Sequence, residues 1–111
     1  FLRQRAVGES LTIVGDGNQR RDFTHVRDVV QANILAATKE VDSDVFGQLY
    51  NVGTGNNYSI NQIARMISDN TINIAPRPGE SRVTLANNQK HRRTFGWEPT
   101  IKLDDWINGQ K

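Results

Sequence analysis

The sequence predicts an α/β fold: a mixed set of helices and short strands forming one domain over residues 1–111. Apolar residues recur at helical spacing in two stretches, and three short apolar runs bounded by turn signals have the character of strands. With 111 residues, of which 36% are apolar, the chain can build one modest core, which is small or shared with a partner surface.

The first third of the chain predicts a helix, a strand and a hairpin. Residues 1–7 read as the tail of a helix that Gly8 closes. A β-type run follows at Leu11–Val14. The Asp-Gly pair at 16–17 is a turn signal, so we expect residues 11–23 to form a hairpin-like excursion.

A helix is predicted from about Val26 to Lys39. Asp28 falls in its first turn, where the helix dipole favours a carboxylate. His25 immediately precedes the helix and lies near two Asp residues; a buried or capping histidine is favoured over an acid/base pair. The helix carries one apolar stripe, formed by Val26, Val29, Val30, Ile34 and Ala37.

A second strand is predicted over Leu49–Val52, followed by the glycine loop 53–55 and a strongly marked helix. Ser59 and Gln62 fit a capping box, and Tyr58 with Ile63 fits a hydrophobic staple. A glycine loop between a strand and a helix is also the context of a dinucleotide fingerprint, but the third small residue is replaced by Tyr58. A tight turn feeding the capped helix is therefore favoured over a phosphate loop. The buried stripe of this helix comprises Ile60, Ile63, Ala64 and Ile67.

The last third predicts a strand over Ile72–Ala75 and two short helices. Asn87 is expected to cap a helix that runs to about residue 95 and stops at Gly96. A final helix is expected to start at Asp104.

Composition excludes several classes of function. The chain has no cysteine, which excludes disulfides and thiolate chemistry and is compatible with the cytoplasmic location that we expect. Its two histidines lie far apart, so we expect no metal site. The formal net charge of +2 is low for a nucleic-acid binder, and the basic run 90–93 lacks interleaved aromatic residues. No apolar run is long enough to span a membrane.

Two loops carry arginines that could bind an anion. Arg21 lies between a glycine turn and the helix at 26, next to an Asp and an aromatic residue, and predicts a phosphate site. Arg77 lies in a loop stiffened by Pro76 and Pro78; a guanidinium there can clamp a diphosphate, or it can form a surface ion pair with Glu80. The residues alone leave these two readings of Arg77 open.

Six segments together resemble the nucleotide-sugar epimerase/dehydratase family of extended short-chain dehydrogenases. They occur in the family's order and cover nearly the whole chain: residues 11–17, 21–30, Tyr50-Asn51-Val52-Gly53-Thr54-Gly55 with Ser59, Arg77-Pro78-Gly79-Glu80, 86–90 and Gly96-Trp97-Glu98-Pro99. Ala86-Asn87 stands where the family usually has Ala-Asp, and Asn can still cap a helix.

The resemblance implies a nucleotide-sugar site. It makes Arg21 and Arg77 the two ligands of the substrate diphosphate and Glu80 the ligand of the nucleotide ribose, in a place that is often Asp. The implied partners are a UDP- or dTDP-sugar and an N-terminal Rossmann portion, with a homo-oligomer as a further expectation and no nucleic acid or membrane. The implied cofactor of the complete enzyme is NAD.

The same resemblance implies that the chain is a C-terminal portion, catalytically incomplete by itself. The family's Tyr-x-x-x-Lys is not matched, because Thr54 and Gln62 stand four residues after Tyr50 and Tyr58. We therefore expect no catalytic, cofactor-binding or metal-binding residue in this chain. The specific expectation is a portion similar to UDP-glucose 4-epimerases; the alternatives are members similar to dTDP-glucose 4,6-dehydratases or UDP-glucuronate decarboxylases. A non-catalytic remnant that serves as a binding or oligomerisation module is the alternative of another class.

Overall fold

The computed structural model describes all residues from 1 to 111 and shows a mixed α/β arrangement. Five α-helices and four short strands make up the regular structure, with a single 3₁₀ turn at Ser43–Val45. In chain order they are α1 (Leu2–Ala6), β1 (Leu11–Val14), β2 (Arg20–Arg21), α2 (Val26–Thr38), β3 (Tyr58–Ser59), α3 (Ile60–Ile67), β4 (Thr71–Ile74), α4 (Gln89–Phe95) and α5 (Leu103–Gln110).

The strands form two separate two-stranded sheets. β1 and β4 pair in parallel, with Leu11 opposite Thr71, while β2 and β3 pair in antiparallel, with Arg20 opposite Ser59. The hairpin expected over residues 11–23 is therefore wrong. The turn at Gly17 (φ +74°) docks on α3 instead of returning along β1, since its carbonyl accepts a 2.9 Å bond from the Asn61 N–H.

The main core lies between β1, α3 and α5. Leu11 and Ile13 face this core from alternate positions of β1, as the two-residue strand period requires. The predicted capping box is confirmed: Ser59 Oγ accepts from the Gln62 N–H at 3.1 Å, and Gln62 Oε1 accepts from the Ser59 N–H at 2.8 Å. The buried apolar side chains of this core are Leu11, Ile13, Ile63, Ala64, Ile67 and Ile107.

Helix α2 is confirmed, and His25 caps it, with Nδ1 accepting from the Arg27 N–H at 3.0 Å. Its apolar stripe is largely exposed, however: Val26 is 67% exposed, and Val30 and Ile34 are about half exposed. The buried positions of α2 are Asp28 and Ala32, on another side of the helix. The apolar stripe of α2 is thus a surface that the rest of this chain leaves largely uncovered.

The strand predicted over Leu49–Val52 is not formed, so that prediction is wrong for this chain. The backbone N–H groups of these four residues donate no hydrogen bond, and Leu49 is 90% exposed. A strand exists only by pairing with a neighbour, and no other backbone segment of the chain forms hydrogen bonds with the backbone of this one.

The C-terminal segment is anchored on α2 through Asp28. Gly96 ends α4 in the left-handed region (φ +67°), and the buried Trp97 donates from Nε1 to the Asp28 carbonyl at 2.9 Å. The Asp28 carboxylate accepts from both the N–H and the hydroxyl of Thr100 and from the Ile101 N–H, at 2.9–3.0 Å. Burial raises the pKa of Asp28, but these hydrogen bonds outweigh it and leave the pKa below its ordinary value.

α4 begins one residue later than expected, with Asn88 as the N-cap residue, although Asn87 Oδ1 does accept a 3.2 Å bond from the Gln89 N–H. The radius of gyration is 17.2 Å, against about 13 Å for a compact domain of this length. None of the helices combines the length and the apolar character that crossing a membrane requires.

Candidate functional site

Two of the three predicted site residues meet in the structure. Nη2 of Arg21 lies 3.3 Å from Oε1 of Glu80, and Nη1 of Arg21 donates to the Arg20 carbonyl at 2.8 Å. Both side chains are partly buried, with 23% and 34% of their surface exposed. An ion pair this accessible contributes about 0–1 kcal/mol to stability, so the guanidinium can exchange Glu80 for another anion at small cost.

Arg77, the third predicted site residue, is exposed and forms no hydrogen bond or ion pair with the rest of the chain. It lies three residues before Glu80 in the same proline and glycine loop. The surface ion pair between Arg77 and Glu80, which the residues alone left open, is not formed, because Glu80 contacts Arg21 instead. The structure thus leaves the Arg77 guanidinium available to an external anion.

Asp22 joins the segment that carries Arg21 to two other segments. Its Oδ1 accepts from the N–H of Thr54 at 3.1 Å and from the hydroxyl of the same residue, in a short contact. Its Oδ2 accepts from the N–H of Gly55 at 2.9 Å and from the N–H of Ala86 at 3.1 Å. The Asp22 backbone N–H also donates to Thr84 Oγ1. Sequence reasoning missed this residue, because its donors are mostly backbone amides that a sequence does not reveal.

The contacts of Asp22 settle the role of the glycine loop 53–55. The backbone N–H groups of Thr54 and Gly55, which could have held a phosphate, hold the chain's own carboxylate. A Cβ at position 53 would lie 2.3 Å from the Ala86 Cβ, so only glycine permits this close approach. The favoured interpretation as a structural turn is confirmed, and the loop does not fit a dinucleotide phosphate.

Hydrogen bonds of Arg20 and Arg82 stabilise the segments around Arg21 and Glu80. Arg20 donates from Nε and Nη2 to the side chain and carbonyl of Asn57, at 2.8 and 3.0 Å. Arg82 donates from both terminal nitrogens to the two oxygens of Asp16, at 3.0 and 3.2 Å. This bidentate bond from Arg82 lowers the pKa of Asp16. The backbone of Arg20 bonds to Arg82 and Thr84, so the segments bearing Arg21 and Glu80 are held side by side.

In the other basic cluster, residues 90–93, Lys90 and Arg92 bind groups of the same chain. Lys90 donates to the Leu49 carbonyl and lies over the Tyr50 ring, and Arg92 pairs with Glu98 at 3.1 Å. His91 is buried among aromatic rings, and neither of its nitrogens has a hydrogen-bond partner. These contacts give the cluster a structural role.

A family model matches nearly the whole chain. The model is that of GDP-mannose 4,6 dehydratase, and it matches residues 1–109. Among curated proteins, the chain is 33% identical to a UDP-glucose 4-epimerase of Oryza sativa subsp. japonica over 124 aligned positions, covering 99% of this chain and 34% of the relative. It is 31% identical to UDP-glucuronic acid decarboxylase 1 of Xenopus tropicalis, covering 97% of this chain and 26% of the relative.

Solved structures of epimerases share the fold of this chain. The UDP-glucuronic acid 4-epimerase from Bacillus cereus, in complex with UDP-glucuronic acid and NAD, matches with a TM-score of 0.86 and 29% identity. The match covers 98% of this chain and 36% of that one. The chain thus spans about a third of the length of the proteins it resembles, and within that third it preserves their fold.

Proposed function

The chain belongs to the NAD-dependent epimerase/dehydratase family, and we propose that it is the part of a nucleotide-sugar epimerase that binds the substrate. In this proposal Arg21 and Arg77 hold the nucleotide diphosphate and Glu80 accepts hydrogen bonds from the ribose hydroxyls. The observation that carries the proposal is the position of the Arg21 guanidinium, which lies 3.3 Å from Glu80 and next to the loop of the unpaired Arg77.

The chemistry of these three side chains suits a nucleoside diphosphate. Guanidinium groups present parallel N–H donors that match phosphate oxygens, and two of them compensate the two negative charges of a diphosphate ester. A carboxylate only accepts hydrogen bonds, which suits the hydroxyl donors of a ribose. Phosphate and ribose ligands from one loop would fix the nucleotide so that the attached sugar projects away from it.

The specific member we propose is one similar to UDP-glucose 4-epimerases. The similarity to a rice UDP-glucose 4-epimerase supports the epimerase, and the similarity to a frog UDP-glucuronic acid decarboxylase supports the decarboxylase alternative. A member similar to dTDP-glucose 4,6-dehydratases is the third possibility. Identifying the products that the complete enzyme forms from UDP-glucose, UDP-glucuronic acid and dTDP-glucose distinguishes the three.

We place the oxidation chemistry outside these residues. Solved relatives contain NAD, but the glycine loop of this chain is filled by Asp22. The part played by residues 1–111 is therefore to bind and orient the nucleotide sugar. The family's cofactor, when bound to the complete enzyme, supplies oxidation and reduction of the sugar.

The partner we propose is an N-terminal Rossmann portion that covers the exposed apolar surface. Three features favour a large contact with another polypeptide segment. They are the extended shape, the exposed apolar stripe of α2 and the segment Leu49–Val52, whose backbone pairs with no strand of this chain. Mixing this chain with a separately produced N-terminal portion of a relative should give a complex that sediments as one species. Two independently sedimenting species would contradict the pairing.

Titration calorimetry with UDP-glucose tests the binding proposal. Replacing both Arg21 and Arg77 with Ala removes two charged donors, each contributing about 1.5–3 kcal/mol, so affinity should fall about 100-fold or more. Arg92→Ala is the matched control, because Arg92 pairs with Glu98 and has no role in the site. Equal affinities in wild type and the double variant would refute the proposal.

A second candidate function is a module for self-association without catalysis. The exposed apolar residues favour it, because uncovered apolar surface promotes contact between copies. It predicts a dimer or larger species in analytical ultracentrifugation and no affinity for UDP-sugars. A monomer that binds UDP-glucose would contradict this candidate and support the first.

A further inference from the structure

The structure assigns to Asp22 a role in the site next to it: its carboxylate positions Arg21 for the diphosphate. The inference rests on the proposed function, since it concerns the same guanidinium. Asp22 is a positioning residue, because its oxygens contact only groups of this chain and its effect on a ligand passes through Arg21.

The position of Asp22 along the chain links three segments at one point. β2 carries Arg21 and ends immediately before Asp22. The glycine loop donates two N–H groups to its carboxylate, and Ala86 donates a third from the stretch that follows the Glu80 loop. A displacement of the Asp22 carboxylate therefore moves the backbone of its neighbour Arg21 relative to the loop of Glu80 and Arg77.

Backbone bonds of Arg20 to Arg82 and Thr84 also hold these segments side by side, but the Asp22 carboxylate is the side-chain group that bonds to both the glycine loop and Ala86. No cation pairs with Asp22, and all of the donors to its carboxylate come from Thr54, Gly55 and Ala86. Arg21 itself is held by only two side-chain bonds, one to the Arg20 carbonyl and one to Glu80. A ligand that takes over from Glu80 removes the second of these, so the guanidinium then depends on the position of its backbone.

Asp22→Asn is a sharp change, because the amide keeps the size of the carboxylate. On the Oδ2 side the new NH₂ group faces the N–H groups of Gly55 and Ala86, and on the Oδ1 side it faces the N–H of Thr54, so in either orientation it meets a donor from which it cannot accept. Two of the four accepted bonds are lost in either orientation, and at least one of them is replaced by donor–donor repulsion. Thr54→Val is a milder variant that keeps the backbone N–H and removes the hydroxyl, which donates to Asp22 and also bonds to the backbone of Asn56.

Asp28→Asn is the matched control for general loss of structure. Asp28 is also a carboxylate that accepts several hydrogen bonds, and it is more deeply buried, but it holds Thr100 and Ile101 instead of the site loops. Both substitutions should lower stability. Only the one at Asp22 should change how the chain recognises a diphosphate.

The experiment compares the affinities for UDP and for uridine, which lacks the diphosphate, by NMR titration of the 111-residue chain. The wild type and Asp28→Asn should prefer UDP over uridine by the same factor. Asp22→Asn should reduce that preference about tenfold, and Thr54→Val should reduce it less, while uridine affinity stays unchanged in both. A general loss of structure would lower both affinities together.

The outcomes separate the two claims. If Asp22→Asn and Thr54→Val retain the wild-type preference for UDP over uridine, the positioning role is refuted while the proposed function stands. The positioning role is equally refuted if the preference falls by the same factor in Asp28→Asn. If the wild type itself does not prefer UDP over uridine, the proposed diphosphate site is refuted, and the role of Asp22 with it.

Discussion

Arg21 and Glu80 are 59 residues apart in the chain, and their side chains meet at 3.3 Å. Each was predicted to contact a different part of a nucleotide: the diphosphate for Arg21 and the ribose for Glu80. In the structure they contact each other, so the carboxylate occupies the donors that a phosphate would use. Binding of a nucleotide at this site would exchange the ion pair for two separate contacts.

This exchange predicts opposite effects of Glu80→Gln on two fragments of the ligand. The substitution removes the competing charge, so affinity for inorganic pyrophosphate should rise by up to about fivefold, the equivalent of an exposed ion pair. It also weakens the acceptor for the ribose, so affinity for uridine should fall. Competition titrations with each fragment measure both effects. A parallel change in the two affinities would contradict the exchange.

Arginine geometry gives a second prediction. Arg21→Lys keeps the positive charge but loses the parallel pair of N–H donors. We expect the affinity for UDP-glucose to fall about tenfold or more, with less loss than in Arg21→Ala. Calorimetry of the two variants, with Arg92→Lys as the control, measures the difference. A lysine variant as tight as wild type would show that only charge matters at this position.

The ordinary helical signals of this chain were reliable predictors. Ser59 and Gln62 form their capping box, Gly96 ends α4, and His25 caps α2. These predictions succeeded because capping depends on residues within one turn of each other. Short apolar runs between turn signals also marked β1 and β4: β1 has its predicted bounds, whereas β4 begins and ends one residue earlier than the predicted 72–75.

Features that depend on distant partners were less accessible. β1 pairs with β4, about 60 residues later, and not with the nearest stretch, because the Gly17 turn docks on Asn61. Residues 49–52 have the composition of a strand but no backbone segment of the chain to pair with. Asp22 was overlooked for a similar reason: three of its four donors are backbone N–H groups, which every residue except proline carries.

The capping box predicts a defined loss of stability. Ser59→Ala removes the acceptor for the Gln62 N–H at the start of α3, and such losses cost about 1 kcal/mol. Urea denaturation followed by circular dichroism measures the change in the free energy of unfolding. Ser10→Ala is the control, because Ser10 donates to the exposed Asn70 side chain and caps no helix. An equal loss in both variants would contradict the capping role.

His91 predicts a pH dependence of stability. Burial lowers the pKa of His91 below the ordinary value of 6.5, so the folded chain keeps its ring neutral while the unfolded chain protonates it. The unfolded state then binds more protons, and stability should fall as the pH decreases below about 6.5, by at most about 1.4 kcal/mol per pH unit.

The control for this dependence is His91→Leu, which cannot titrate. Urea denaturation between pH 7.5 and 5 should show a smaller fall in the free energy of unfolding for the variant than for the wild type. The comparison lies above the range where carboxylates such as Asp28 protonate, so their contribution is small. Identical slopes in the two proteins would show that His91 is not the group responsible.

The most direct test of the account is a crystal structure of the chain with UDP. In that crystal, guanidinium nitrogens of both Arg21 and Arg77 should lie about 2.7–3.2 Å from diphosphate oxygens. Glu80 should leave Arg21 and accept from a ribose hydroxyl. A diphosphate bound away from both arginines, with the pair of Arg21 and Glu80 intact, would contradict the proposed diphosphate site.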